Sequence, residues 1–119
     1  MRTLNDYFLK VTLPDCSASG STGYVAVPDN GRIIKIIAVQ EGAIATANAV
    51  INFKTATSGS SNVTGGTITI PFAGDSVGDV RYSEPTALNN VLEGEAIQVT
   101  TNNASSGACP VQCTIVIRR

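Results

Sequence analysis

The run Val111-Gln112-Cys113-Thr114-Ile115-Val116-Ile117-Arg118 alternates apolar and polar side chains with a period of two. Such alternation places one set on a buried face and the other toward solvent, the mark of a half-buried β-strand. Val111, Cys113, Ile115 and Ile117 are therefore expected to face a core, with Gln112, Thr114 and Arg118 outside and Val116 an apolar interruption. The same reading extends outward to Tyr7, Leu9, Val11 and Leu13; to Ala49, Ile51 and Phe53; to Ile68, Ile70 and Phe72; and to Ile97 and Val99. Runs at Tyr24 to Val27 and Arg32 to Val39, with a weaker one at Val80 to Tyr82, bring the expected total to about eight strands. Val and Ile number 23 against five Leu, and 13 Thr add to the β-branched bias, so helices are disfavoured.

Turn residues separate these runs. Pro28-Asp29-Asn30-Gly31 predicts a tight hairpin between its flanking strands. Glu41-Gly42, Gly65-Gly66, Gly74-Asp75 and Glu93-Gly94 mark other boundaries, and Ser58 to Asn62 and Asn102 to Gly107 read as loop tips. Only Pro85 to Leu92 hints at a helix, of a single turn. About eight short strands in 119 residues imply an all-β fold, an antiparallel two-sheet sandwich and most simply an eight-stranded jelly roll, with an immunoglobulin-like sandwich as the alternative. Residues 1–6 are read as an N-terminal arm and 7–119 as one sandwich domain.

The run Arg32-Ile33-Ile34-Lys35-Ile36-Ile37-Ala38-Val39 is apolar on both faces. In regular alternation Ile34, Ile36 and Ala38 take the core side, leaving Ile33, Ile37 and Val39 beside Lys35 on the outer side. A sandwich strand has one core face, so the outer set implies cover by another subunit, or else a bulge that changes register. Phe8, Val50 and Val116 interrupt other outer faces in the same way.

The chemistry available is sparse. The chain has no His and no Trp, so the commonest general base and metal ligand are missing. Asp75 with Asp79 and Glu93 with Glu95 are the nearest to paired carboxylates, and both pairs sit in turn-rich segments. Ser17, Ser19 and Ser21 have no activating base in view. Neither catalytic residues nor a cofactor or metal are expected. A formal charge of -1 without any run of like charges argues against nucleic-acid binding, and no apolar stretch is long enough to span a bilayer. No signal-peptide pattern follows Met1, which is read as synthesis without export. Of Cys16, Cys109 and Cys113, the last two would lie about 13 Å apart on one strand, too far to bridge, whereas a pair between Cys16 and Cys109 stays open.

The stretch from Val27 to Ile51 joins a Pro28 to Gly31 turn, a strand, a Gly42-Ala43-Ile44 loop, a small-residue linker and a second strand. Together with Gly65 to Phe72, Val91 to Val99 and the ending Thr114-Ile115-Val116-Ile117-Arg118-Arg119, it resembles the head decoration, or cement, proteins of tailed bacteriophages. The resemblance covers roughly half the chain and consists of turns and strands, not of a catalytic signature. It implies a jelly-roll protein, a homotrimer with no enzymatic activity. Such a protein is made in the host cytoplasm, binds the outside of the virion and clamps neighbouring major capsid proteins. On that reading the partner interface draws on Arg2, Phe8, Ile33, Lys35, Ile37 and Val39. The alternative is a carbohydrate- or receptor-binding module, for which Tyr24 and Tyr82 are the available sugar platforms.

Overall fold

The computed structural model describes residues 6–15, 22–42, 44, 46–55, 61–72, 77–102 and 109–119. Its strands are β1 (Asp6–Leu13), β2 (Thr22–Ala26), β3 (Gly31–Gln40), β4 (Ala49–Lys54), β5 (Ile68–Ile70), β6 (Val80–Ser83), β7 (Asn90–Val91), β8 (Ala96–Asn102) and β9 (Val111–Arg118). All pairings are antiparallel. One sheet has the order β1-β9-β3-β6, with the two-residue β7 continuing the β6 edge along β3, and the other has β2-β8-β4-β5. The chain crosses repeatedly between the sheets, so strands adjacent in sequence seldom pair and the last strand lies between the first and third. This is the eight-stranded jelly roll, with β7 as a short supplement.

The alternating sets fill the space between the sheets. Val11, Leu13, Val111, Cys113, Ile115 and Ile117 from the first sheet meet Ala49, Ile51, Phe53, Ile68, Ile97 and Val99 from the second, all buried. Tyr7 and Leu9 pack at the margin of this core. At one end Asp6 and Arg118 are directly opposed on β1 and β9 and form a bidentate pair, at 2.9 and 3.1 Å. Strand β1 thus begins at Asp6, one residue inside the expected arm.

Strand β3 departs from regular alternation. Its register against β9 runs Ile33 to Ile117 and then Lys35 to Val116, so Ile34 is an extra residue and β3 carries a bulge. Ile33 is fully buried in the core with Ile36 and Ala38, which overturns its expected outer position, while Ile34 is half-buried. Asn89 holds the irregularity in place. Its side-chain amide donates to the Ile33 carbonyl at 2.7 Å, and its own carbonyl accepts from the Ile33 amide at 2.9 Å.

Three further expectations are corrected. Pro28 to Gly31 makes no hairpin, because β2 and β3 lie in different sheets. The segment is a corner stapled to the turn after β7: Val27 donates to Glu95, Gly94 donates to Val27, and the Asn30 side chain accepts from Glu93. A Cβ on Gly31 would stand 2.5 Å from the Ile117 side chain and 2.9 Å from the Arg118 carbonyl, so close approach to β9 is what requires glycine there. Phe72 is exposed, since β5 ends at Ile70 and Pro71 has no amide to continue the ladder. Residues 85–92 contain no helix; Ala87 bridges Thr64, Leu88 has φ of +56°, and Asn90–Val91 joins β3. Backbone partners on other segments outweigh the helical spacing of Ala87, Leu88, Val91 and Leu92. The expected loop tips fall largely outside the described residues, as do Gly74 and Asp75.

Replacing Asn89 by Ala should leave the buried Ile33 carbonyl without its side-chain donor. A loss of about 1–3 kcal/mol in unfolding free energy is expected, read as a lower urea midpoint with an unchanged slope.

Candidate functional site

The outward positions of the first sheet form a face that can be traced from the register. One row runs Asp6, Arg118, Arg32 and Asn90; the next has Phe8, Val116 and Lys35; then come Lys10, Thr114, Ile37 and Tyr82, and finally Thr12, Gln112, Val39 and Val80. Phe8 is 43%, Val80 56% and Tyr82 61% exposed, whereas Val116, between Phe8 and Lys35, is 6% exposed. Ile37 and Val39 are half-buried. The Lys35 ammonium lies 4.6 Å from the centroid of the Tyr82 ring, a cation–π contact that spans two strands.

Of the six expected interface residues, Phe8, Lys35, Ile37 and Val39 share this face, Ile33 is in the core, and Arg2 lies outside the described residues. Val80, Tyr82 and Arg32 join the face without having been expected there. The first two were legible in the alternation of Val80 and Tyr82; Arg32 reaches the outside only because the bulge places residues three apart, 32 and 35, on one side.

Two open hollows flank Arg32. One, of about 340 Å³, is lined by Arg32, Ile34, Glu84, Pro85, Thr86 and Asn89. The other, of about 320 Å³, is lined by Gly31, Arg32, Asn90, Arg118 and Arg119. Arg118 is engaged by Asp6, whose side chain is 1% exposed and whose carboxylate holds the guanidinium above its ordinary pKa. Arg119 pairs with Asp29 at 3.0 Å and stands over the Tyr7 ring at 5.3 Å. Arg32 has no carboxylate partner among the described residues, although it sits directly across from Arg118.

The outer face of the second sheet differs in character. Tyr24 is 66% exposed beside Gln98, and Thr22, Thr100 and Asn52 form the adjoining row, with the Thr67 hydroxyl donating to the Asn52 side chain at 2.9 Å. Tyr24 and Tyr82 therefore look away from each other on opposite sides of the sandwich. They do not form a shared stacking platform.

Reactive chemistry is scarce. Among the described residues no cluster of three or more Cys, Asp or Glu side chains is arranged to hold a metal, and no helix is long and apolar enough to cross a membrane. Cys109 and Cys113 are free and buried; the Cys109 amide donates to the Asp15 carboxylate and its thiol donates to the Gly42 carbonyl. Cys16, Ser17, Ser19, Ser21 and Asp75 lie outside the described residues. Asp79 is half-buried, and Glu93 and Glu95 flank the Gly94 turn.

No protein-family model and no curated protein matches the sequence. Solved structures do share its fold. A chain in the acidic stable capsid structure of the Helicobacter pylori bacteriophage KHP30 superposes with a TM-score of 0.61 at 14% identity, over 96% of this chain and 87% of that one. A family 6 carbohydrate-binding module from Clostridium cellulolyticum, in complex with xylose, gives 0.56 at 14% identity over 85% and 74%. A chain of the cyanophage Pam1 capsid asymmetric unit gives 0.50 at 13% identity over 99% and 89%. Identities this low establish a shared jelly-roll architecture, and the function must be argued from the surface.

Burial pushes the Cys113 thiol up to about 12, and burial followed by the Asp29 charge raises the Tyr7 phenol as well. Both groups hold their protons longer in the fold than in the unfolded chain. The stability the thiol contributes is complete below its ordinary 9.0 and is lost as pH climbs toward 12. The urea midpoint should accordingly fall across that window, and Cys113→Ala should reduce the fall. A thiol reagent at neutral pH should leave Cys113 unmodified until denaturant is added.

Proposed function

We propose that the chain is a non-enzymatic structural protein of a tailed bacteriophage, bound as a homotrimer to the outside of the capsid, where it stabilises contacts between major capsid proteins. The observation that carries this reading is the outer face of the first sheet, which brings Phe8, Ile37, Val39, Val80 and Tyr82 to one side and leaves Val80 and Tyr82 more than half exposed. Apolar side chains gathered on a strand-built face mark an interaction surface better than scattered ones do. The likeness to chains in two phage capsid structures, over nearly the whole length of each partner, agrees with it. So does the resemblance to decoration proteins carried by the Val27 to Ile51 segment. The protein is synthesised in the host cytoplasm and joins the virion there; no nucleic acid, membrane or cofactor takes part.

A trimer strengthens weak contacts by effective concentration, since each subunit already held brings the others to their sites. Each interface can then be modest. Light scattering behind a sizing column should report three times the 12.3 kDa chain mass, and the purified protein should co-sediment with capsids of the phage that encodes it and raise their melting temperature. A chain that neither binds such capsids nor shifts their melting would overturn the reading. Ile37→Asp, at an outward position, should keep the fold by circular dichroism and weaken capsid binding at least tenfold, about 1.4 kcal/mol.

A second reading rests on Tyr24, an exposed ring among Thr, Gln and Asn side chains on the second sheet, in a fold shared with a xylose-bound module. One aromatic supplies a single stacking surface. Titration calorimetry with xylo- and cello-oligosaccharides should show no heat beyond dilution; saturable binding abolished by Tyr24→Ala would move this reading ahead.

A further inference from the structure

The cations of this chain are sorted by sheet. Lys10, Arg32, Lys35 and Arg118 stand on the outward rows of the first sheet, Arg81 lies on its edge strand β6, and Arg119 closes its end. Lys54 is the one described cation on the second sheet. A formal charge of -1 for the whole chain hides this separation. On the first sheet's face, Asp6 is taken up by Arg118, the Glu41 carboxylate accepts from the Gln112 side chain at 3.3 Å at the opposite end, and Glu84 lies beyond the end of β6 in the hollow beside Arg32.

Arg32 and Arg118 occupy directly opposed positions on neighbouring strands, an arrangement that costs stability unless an anion lies between or beside them. Asp6 supplies that anion to Arg118. Nothing among the described residues supplies it to Arg32 or Lys10, and Lys35 is met by the Tyr82 ring alone. Between these cations lie the exposed Phe8, Val80 and Tyr82 and the half-buried Ile37 and Val39.

We infer that this face docks an acidic protein surface, one whose carboxylates reach Arg32, Lys10 and Lys35 around an apolar side chain seated against Ile37 and Tyr82. The inference rests on the proposed capsid role and specifies which side of the sandwich meets the partner and what chemistry the partner presents. A second copy of the chain docked face to face is disfavoured, because Lys10, Arg32 and Lys35 would meet their own images. Carboxylates of a different surface meet no such repulsion, and at the rim of the contact they orient the partner and speed the encounter.

The probe is a short synthetic peptide in which glutamates flank a central leucine, titrated into the full, isotope-labelled chain, with a lysine-flanked peptide as its counterpart. Amide shifts should appear at Lys10, Arg32, Lys35, Ile37 and Tyr82, weaken with added salt, and be absent with the lysine peptide. Lys10→Glu combined with Lys35→Glu should reduce binding more than tenfold, and Lys54→Glu on the other sheet should leave it unchanged. Shifts on the Tyr24 face, equal binding of the lysine peptide, or no shifts at millimolar peptide would overturn the inference. So would a fall in solution mass on the double charge reversal, which would make a second copy the occupant. Capsid sedimentation separates the two levels. If capsids hold the double variant as firmly as the original chain, the acidic dock fails while the capsid role stands. If the peptide binds as described and capsids do not hold the chain, the capsid role fails and the dock remains.

Discussion

A single extra residue in β3 decides what both sides of the first sheet present. With Ile34 inserted opposite the Ile117 to Val116 step, Ile33 turns inward onto the core and Arg32 turns outward into line with Lys35. Regular alternation would have exchanged them, turning a guanidinium toward the core and exposing a β-branched apolar side chain. Burying an unpaired charge is among the costliest errors a core can contain. The bulge avoids it, and a bulge needs its freed backbone groups satisfied. Asn89 does this with both its side chain and its backbone, reaching across 56 residues of sequence from the end of the segment that follows β6. Leu88, immediately before it, has a positive φ, a conformation that non-glycine residues seldom adopt.

From that constraint the two outer surfaces diverge. The second sheet faces outward with Thr22, Thr100, Asn52 and Gln98, neutral polar groups, of which Asn52 accepts from the Thr67 hydroxyl. The first sheet presents cations around apolar side chains. Its order is kept by cross-strand contacts: Asp6 anchors Arg118 at one edge, Val116 is covered between Phe8 and Lys35, and Lys35 in turn lies over Tyr82 at the other edge. Long side chains fixed in this way would lose less freedom on meeting the proposed partner, so more of the contact energy would appear as affinity.

How much of this was legible follows from which forces are local. The inward sets on β1, β4, β8 and β9 could be read from the sequence, because strict period-two alternation over a run has one burial solution in a sandwich. Phe8, Lys35, Ile37 and Val39 could be placed on one side for the same reason. Ile33 could not, since the bulge depends on Asn89, a residue distant in sequence and carrying no motif. The Pro28 to Gly31 turn misled because its composition encodes a chain reversal and says nothing about which sheet the next strand joins; Gly31 is small for the sake of Ile117 and Arg118. Phe72 continued an alternating pattern one step past the point where Pro71 ended the ladder. Arg32 was visible as a charge, but its side depended on the register shift.

The fold itself discriminates poorly among functions, since chains of phage capsids and a sugar-binding module share it at identities near 14%. What discriminates is how the surface is divided. A sugar platform needs aromatic faces converging on one site, and here Tyr24 and Tyr82 are separated by the thickness of the sandwich, with Tyr82 already stacked against Lys35. A broad face of mixed cations and apolar groups suits a partner that is itself a protein surface. In the proposed dock, charged contacts would set orientation and the rate of encounter, while the apolar centre would set how long the contact lasts. A small interface of this kind is weak when alone. Repeated around the proposed threefold assembly, the same interface would hold firmly, because releasing one subunit would leave it within reach of its site.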